Sequence, residues 1–100
     1  MSLRIEIPND KISDYCRRNR IRRLAFFGSV LREDFGLDSD IDVLVEFEHD
    51  AHVGLISLAG MEIELTIILG HKAEIHTFNG LNPLFRDEVL DSAEVQYEQA

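Results

Sequence analysis

The sequence predicts an α/β fold in which a small mixed sheet of about three strands is flanked by helices. One observation behind this prediction is that strand-like and helix-like patterns alternate along the chain, which is typical of the class. The other is size, because 100 residues with 45% apolar content provide material for one small core. We therefore expect residues 1–100 to form a single domain.

The first element is a predicted helix that begins at residues 8–10 and runs to about Asn19. Proline followed by polar residues is a helix-start signal, and Ile12, Tyr15 and Cys16 have the spacing of one apolar helix face. We expect Cys16 to be a small core residue. Because it is the only cysteine, an intrachain disulfide and zinc sites built on paired cysteines are excluded.

Two strands are predicted next. Residues 24–27 form an apolar run that is too short for a helix and ends at Gly28-Ser29, which indicates a buried strand leading into a turn. Residues 40–47 are rich in β-branched side chains and alternate in the manner of a strand. One face of this strand carries Ile41, Val43, Val45 and Phe47, and the other carries Asp40, Asp42, Leu44 and Glu46.

Residues 54–69 fit both a strand-like alternation and a helical stripe, and we favour a helix. The segment is long enough, Glu and Leu are good helix formers, and Gly70 stands where a C-terminal cap belongs. A second apolar stripe of Ile56, Ile63 and Ile67 lies away from the first. This stripe is a candidate surface for a partner protein or for self-association.

The last predicted elements are a strand over residues 72–78 and a helix that opens at Asn82-Pro83. The apolar residues expected to point inward from this helix are Leu84, Phe85, Val89 and Leu90. Residues 95–97 are expected to be extended or frayed.

The net charge of -9 argues against tight sequence-independent binding to nucleic acid, because phosphate neutralisation needs a basic surface. The charge is unevenly distributed, since residues 1–32 carry +5 and residues 33–100 carry -14. No apolar run approaches the roughly 18 to 20 residues of a membrane span, and the first residues lack the layout of a signal peptide. We therefore expect a cytoplasmic protein without a membrane partner.

The segment from Gly28 to Asp42 carries the chemistry. Gly28 permits a sharp turn and a close approach to a ligand, Ser29 adds a hydroxyl, and the N–H groups of a following helical turn suit an anionic phosphate. Asp40 and Asp42 are two residues apart on a strand, so both carboxylates leave the same face. Two such acids repel each other, and a divalent cation such as Mg²⁺ resolves that conflict.

The pattern Gly-Ser, Arg-x-Asp-Phe and Ser-Asp-x-Asp-x-Leu-Val over residues 28–45 resembles the minimal nucleotidyltransferases of the DNA polymerase beta superfamily. Members of this family are often paired with HEPN toxins. The resemblance covers most of the chain from Ile21 onward, because Leu-Asn-Pro at residues 81–83 and the helix that bears Arg86 also match.

The resemblance implies a nucleotidyltransferase that moves AMP from ATP to a hydroxyl of a HEPN toxin, a tyrosine being the expected acceptor, and so acts as its antitoxin. Gly28 and Ser29 would bind the triphosphate, and Asp40 and Asp42 would bind two Mg²⁺ ions. The family places a third carboxylate, usually Asp, on the next strand as metal ligand and base. The matching residue here is Glu74, whose longer side chain puts full turnover in question.

Several nearby residues have more than one interpretation. Arg32 is a candidate phosphate ligand, with pairing to Glu33 or Asp34 or exposure to solvent as the alternatives. Ser39 either contacts phosphate or shapes the turn before the strand. These two residues complete the candidate nucleotide site with Gly28 and Ser29.

The five arginines between Arg17 and Arg23 are interpreted as a solvated helix end, a patch for triphosphate or a contact for an acidic partner. His49, Asp50 and His52 resemble a metal-ligand spacing, but they follow a strand in a polar segment, and we expect them to be exposed.

Two other functions compete with enzymatic transfer to a protein. In one, the fold is a catalytically weak binding module that neutralises its partner by contact, which Glu74 and the second apolar stripe of residues 54–69 favour. In the other, transfer goes to a small molecule or an RNA end, which would require a domain supplied by another chain.

Overall fold

The computed structural model describes residues 7–28, 40–78 and 80–99, and the side chain of Phe85 lies outside this description. Within these residues the chain forms three helices and four strands. Their bounds are α1 Asn9–Arg18, β1 Ile21–Phe27, β2 Ile41–Phe47, α2 Leu55–Leu69, β3 Ala73–Thr77, α3 Pro83–Ser92 and β4 Glu94–Glu98. None of the helices described combines the length and apolar character needed to cross a membrane.

The four strands form one mixed sheet in the order β3-β2-β1-β4. β1 pairs antiparallel with both β2 and β4, whereas β2 and β3 are parallel. A parallel pair needs a crossover connection, and α2 supplies it. The predicted fold class is confirmed, with one more strand than expected, because residues 94–98 pair with β1 rather than fray.

One face of the sheet packs on α1 and α2. The core joins Ile41, Val43 and Val45 of β2 to Met61 and Leu65 of α2. The Tyr15 hydroxyl donates a hydrogen bond of 3.0 Å to the carbonyl of Met61 and so links the two helices. We call this the helix face of the sheet and the opposite side its open face.

The predicted helix over residues 54–69 is confirmed. It ends where Gly70 adopts a left-handed conformation with φ of 73° and donates its N–H to the carbonyl of Thr66, the geometry that favours glycine after a helix. Its second apolar stripe is exposed, as the sequence predicts.

The predicted inward positions on α3 are wrong for two residues. Leu84 is 86% exposed and Leu90 is 39% exposed, because α3 packs only loosely against the rest of the described chain. The start of the helix is as expected, since the Asn82 side chain accepts a hydrogen bond from the N–H of Leu84 and Pro83 occupies the first turn.

Cys16 is fully buried, which confirms its interpretation as a core residue. Burial raises the pKa of its thiol to about 12. A thiol in this state is a poor nucleophile at neutral pH.

Candidate functional site

The period of two along β2 sorts its side chains between the two faces of the sheet. The apolar residues at odd positions enter the core, and Asp42 and Glu46 lie half-buried on the open face. Because β2 and β3 are parallel and in register, Glu74 stands beside Asp42 and His76 beside Leu44. Two carboxylates and one imidazole therefore meet at the open face.

The side chains in this region are close together. Ligand atoms of Asp42, Glu74 and His76 all lie within 4.8 Å of one another. Nε2 of His76 is 3.3 Å from Oδ1 of Asp42 and 4.0 Å from Oε2 of Glu74. Asp40 neighbours Glu74 and raises its pKa, but Asp40 is not among the residues whose ligand atoms lie within 4.8 Å of one another. We call Asp40, Asp42, Glu74 and His76 the acid cluster.

Gly28 borders the acid cluster at the end of β1, where its neighbour Phe27 is in register with Asp42. Gly28 has φ of 75°, and a Cβ atom placed on it would lie 2.5 Å from Oδ2 of Asp42. Glycine is required here for both reasons, since other residues rarely adopt this backbone conformation and any side chain would collide with the carboxylate. Gly28 and His76 therefore flank the two oxygens of Asp42.

The crowding of carboxylates changes the titration of Glu74. The hydrogen bond that the protonated carboxyl group of Glu74 donates to Asp40, burial, and the charges of Asp40 and Asp42 raise the pKa of Glu74, and the nearby Lys72 lowers it by a smaller amount. A pKa raised in this way means that the metal-free chain favours the protonated form of Glu74.

The donor set fits a divalent cation. Asp40, Asp42 and Glu74 offer the carboxylate oxygens that Mg²⁺ and Mn²⁺ prefer, and the imidazole of His76 suits Mn²⁺ better than Mg²⁺. A bound cation would favour the ionised form of Glu74 and lower its pKa.

The structure brings together four of the residues predicted as site residues, namely Gly28, Asp40, Asp42 and Glu74. Glu74 reaches Asp40 despite its extra methylene. The other three predicted nucleotide-binding residues, Ser29, Arg32 and Ser39, lie outside the described residues.

His76 was missed by the sequence reasoning. A signal was available, because Glu74 and His76 are two residues apart on a strand, the same spacing that places Asp40 and Asp42 on one face. The sequence does not reveal that β3 lies in parallel register with β2, which is what brings His76 to Asp42.

The histidines of the segment after β2 are apart from the acid cluster. His49, Asp50 and His52 are exposed, as expected, and Asp50 pairs with Arg20. The candidate metal-ligand group found among the described residues is that of Asp42, Glu74 and His76.

Most arginines of the segment from Arg17 to Arg23 form ion pairs within the chain. Its ion pairs join Arg18 to Asp14 and Glu64, Arg20 to Glu48 and Asp50, Arg22 to Glu46, and Arg23 to Glu46 and Glu98. The interpretation as a helix end applies to Arg17 and Arg18, whereas Arg22 and Arg23 belong to β1. In the folded chain, arginines of the basic first part therefore form ion pairs with acids of the remainder.

These arginines are far from the acid cluster. Arg23 is in register with Glu46, four residues along β2 from Asp42, a distance of about 13 Å at the rise of a strand. The backbone positions of these arginines separate them from the acid cluster, and their interpretation as a triphosphate patch stays a prediction.

The open face also contains a cleft between the sheet and α3. Its volume is about 290 Å³, and it is lined by the apolar residues Ala25, Leu44, Phe78, Leu90 and Val95 together with the charged residues Arg22, Arg23 and Glu46. Since Leu44 follows Asp42 by two residues on the same face, the cleft borders the acid cluster.

A mixed sheet with helices on one face and clustered carboxylates beside a glycine turn on the other is the arrangement of a nucleotidyltransferase domain. The family model described as the nucleotidyltransferase domain matches residues 10–95. The chain therefore belongs to the nucleotidyltransferase domain family.

Individual relatives agree with this assignment. The chain is 34% identical over 83 residues to a Methanocaldococcus jannaschii protein named "Putative protein adenylyltransferase", covering 83% of this chain and 87% of the relative. A solved structure described as a "putative minimal nucleotidyltransferase" is 34% identical, with a TM-score of 0.70 and 85% of each chain covered.

The fold also resembles a chain in the structure of a tri-AMPylated Shewanella oneidensis HEPN toxin in complex with an MNT antitoxin. The TM-score is 0.67 at 17% identity, and the match covers 91% of this chain and 70% of that one.

Proposed function

We propose that the protein is a Mg²⁺-dependent nucleotidyltransferase that transfers AMP from ATP to a hydroxyl, a tyrosine in our proposal, of a HEPN-type toxin and thereby acts as its antitoxin in the cytoplasm. The observation that carries this proposal is the acid cluster on the open face, with Gly28 against Asp42. The names of the relatives, a protein adenylyltransferase and an MNT antitoxin bound to an AMPylated toxin, support the choice of reaction and partner.

In the proposed reaction the acceptor oxygen forms a bond to the α-phosphorus of ATP, the bond from that phosphorus to pyrophosphate breaks, and the hydroxyl proton leaves. Asp40, Asp42 and Glu74 would hold the metal, which when bound offsets the phosphate charge and favours ionisation of the acceptor hydroxyl. Gly28, with Ser29, Arg32 and Ser39 as further proposed contacts, would hold the triphosphate.

Glu74 has a second proposed role as the base that receives the hydroxyl proton. This role rests on the position of Glu74 beside Asp42, because the raised pKa of Glu74 belongs to the metal-free chain and a bound cation would lower it. Its longer side chain still reaches Asp40 and the other ligand atoms, which supports turnover rather than a disabled site.

The open face is the side from which an acceptor can approach. The helix face is covered by α1 and α2, whereas the acid cluster and the adjoining cleft are accessible from the other side. We propose this side as the contact region for the toxin.

The competing proposal is neutralisation by contact, in which the acids have no catalytic task. The observation in its favour is that this chain has Glu74 at the position where the family usually has Asp. The two proposals differ in what they expect of the acids, because contact alone does not require metal ligands.

The test is to mix the chain with the protein that the adjacent gene encodes, ATP and Mg²⁺, and to measure the intact mass of that protein, which the proposal expects to be a HEPN protein. The proposal expects an AMP-sized gain that is lost in the Asp40→Asn/Asp42→Asn double variant. Asp87→Asn in α3 is a matched control, since Asp87 is exposed and has no place in the acid cluster. If toxin neutralisation persists unchanged in the double variant, contact suffices and the enzymatic account is wrong.

A further inference from the structure

The outer surface of α2 carries a continuous apolar seam. Ile56 is 91% exposed, Ile63 65% and Ile67 77%, although isoleucine is among the residue types most often buried. With Gly60 these residues follow the spacing 4-3-4, which is the repeat of helices that pack against another helix. At 100° per residue the seam lies opposite the buried face formed by Met61, Leu65 and Leu69.

Gly60 in this seam has no function within its own chain. A Cβ atom at this position would meet nothing within 4 Å, and no positive φ requires glycine there. Glycine inside a helix costs about 0.5 to 1 kcal/mol relative to alanine. A glycine in the middle of an exposed apolar seam leaves a recess of the kind that receives a large side chain from a facing helix.

The seam itself contains no charged residue. α2 contains two acids, and each is bound within the chain: Glu62 accepts a hydrogen bond of 2.7 Å from the N–H of Ile75, and Glu64 pairs with Arg18 at 2.6 Å. In a protein with a net charge of -9, two copies can approach only where their acids do not face each other. The seam meets this requirement.

The position of the seam separates it from the proposed acceptor contact. α2 covers the helix face of the sheet, and the seam points away from the sheet, whereas the acid cluster lies on the open face. This step rests on the proposed function, because it takes the open face as the side where the acceptor protein binds. A toxin held there leaves the seam of α2 uncovered.

We infer that the seam binds the seam of a second copy of this chain, with the two α2 helices antiparallel about a twofold axis. In this pairing Ile63 of each copy enters the recess at Gly60 of the other, and Ile56 of each copy contacts Ile67 of the other. The seam is self-complementary in this arrangement, as a twofold interface requires. The proposed dimer leaves both acid clusters accessible.

The interface is small, since one helix face falls short of the roughly 800 Å² per partner of a standard interface. A reversible dimer is therefore expected, with a dissociation constant in the micromolar range or weaker, about -8 kcal/mol or less favourable.

Sedimentation velocity over a range of protein concentrations tests the inference. The wild-type chain should shift from monomer to dimer, and Ile63→Glu should remain monomeric. Leu84→Glu is the matched control, because Leu84 is an exposed apolar residue of α3 with 86% exposure, and it should dimerise like the wild type. Circular dichroism checks that each variant retains its helices.

The Gly60→Leu variant distinguishes specific dimerisation through the seam from non-specific hydrophobic association. It adds apolar surface and replaces glycine with a better helix former, so non-specific association would strengthen. Filling the recess should instead weaken the proposed dimer at least tenfold. A wild-type chain that stays monomeric up to about 1 mM, which corresponds to only about 4 kcal/mol of binding, overturns the inference, and so does a Gly60→Leu variant that associates more tightly.

The AMP-transfer assay on the same variants keeps this inference distinct from the proposed function. Ile63→Glu and Gly60→Leu should transfer AMP as the wild type does, because the seam is remote from the acid cluster. Loss of toxin binding in Ile63→Glu, with a monomeric wild-type chain, would assign the seam to the toxin and contradict the dimer.

Discussion

The two faces of the sheet are built from the same strands and differ in almost every physical property. Along β2, Ile41, Val43 and Val45 are fully buried against the helices, while Asp42 lies between them in sequence and on the opposite face. The helix face gains stability from burial of apolar surface. The open face gathers carboxylates, and the hydrogen bond between Glu74 and Asp40, burial, and the charges of Asp40 and Asp42 raise the pKa of Glu74.

The difference shows how a chain of this size can separate folding from chemistry. Alternation along a strand lets neighbouring residues serve different purposes, since successive side chains point to opposite faces. An unfavourable cluster of acids on one face is tolerated because the other face holds the fold. Substitutions on the helix face should therefore change stability, and substitutions on the open face should change metal binding and transfer.

The largest expected effect on stability comes from the helix face. Leu65→Ala removes a fully buried side chain of α2 and should lower the free energy of unfolding by about 2 to 5 kcal/mol. Thermal unfolding measures this loss, with the exposed Leu84→Ala as the control that should change little. A loss below 0.5 kcal/mol for Leu65→Ala would contradict the assignment of the core.

Gly28→Ala should lower both the stability of the fold and the affinity of the acid cluster for metal. The left-handed backbone costs a non-glycine residue roughly 1 to 2 kcal/mol, and the added Cβ would displace the carboxylate of Asp42. Gly70→Ala is a matched control, because Gly70 has a similar φ of 73° but nothing within 4 Å of the added Cβ. Both variants should lose stability, and only Gly28→Ala should lose affinity for Mn²⁺ measured by calorimetry.

His76→Ala should weaken metal binding rather than folding. Nε2 of His76 is 3.3 Å from Oδ1 of Asp42, and partners that orient a ligand in this way typically contribute 10- to 100-fold to metal affinity. Titration with Mn²⁺ should show a loss of about tenfold, while the exposed His52→Ala should bind as the wild type does. Equal affinity in His76→Ala would remove His76 from the acid cluster as a functional group.

Glu74→Gln should give the smallest change in stability, and this change should be a gain. Because the folded chain raises the pKa of Glu74 above its ordinary value of 4.5, the contribution of this group to stability is fully present below pH 4.5 and is lost as pH rises through the raised pKa. At neutral pH Gln removes the repulsion and can still donate a hydrogen bond to Asp40.

The expected gain for Glu74→Gln at neutral pH is on the order of 0.2 to 1 kcal/mol, the range for exposed charges, and it should fade below pH 4.5. Thermal unfolding of the metal-free chain at several pH values measures it. A variant that is less stable than the wild type at neutral pH would contradict the account of the cluster.

The sequence was sufficient for the fold class, and it singled out the acids that the structure places together as the candidate site. The alternation around Asp40 and Asp42 predicted both the strand and the face they share, and the next strand supplied Glu74. These features are local, so they can be recognised from spacing alone.

Features that depend on how elements pair were less accessible. His76 became part of the site through the parallel register of β2 and β3, and residues 94–98 became a strand because β1 offered a free edge. The apolar residues of α3 show the reverse case, since an apolar helical stripe does not reveal whether the chain provides a surface to cover Leu84.

The central claim is that adjacent residues of β2 serve separate tasks, and it is tested most directly by comparing Asp42→Asn with Val43→Ala. AMP transfer to the HEPN protein per folded molecule is measured by intact mass, beside the melting temperature of each variant. Val43→Ala should lose about 2 kcal/mol of stability and transfer AMP at the wild-type rate wherever it is folded.

Asp42→Asn should keep or slightly raise its melting temperature, because it removes one of the repelling charges. It should transfer AMP at least about 100-fold more slowly, because a lost metal ligand removes several kcal/mol of transition-state stabilisation. Wild-type transfer by Asp42→Asn would contradict the account.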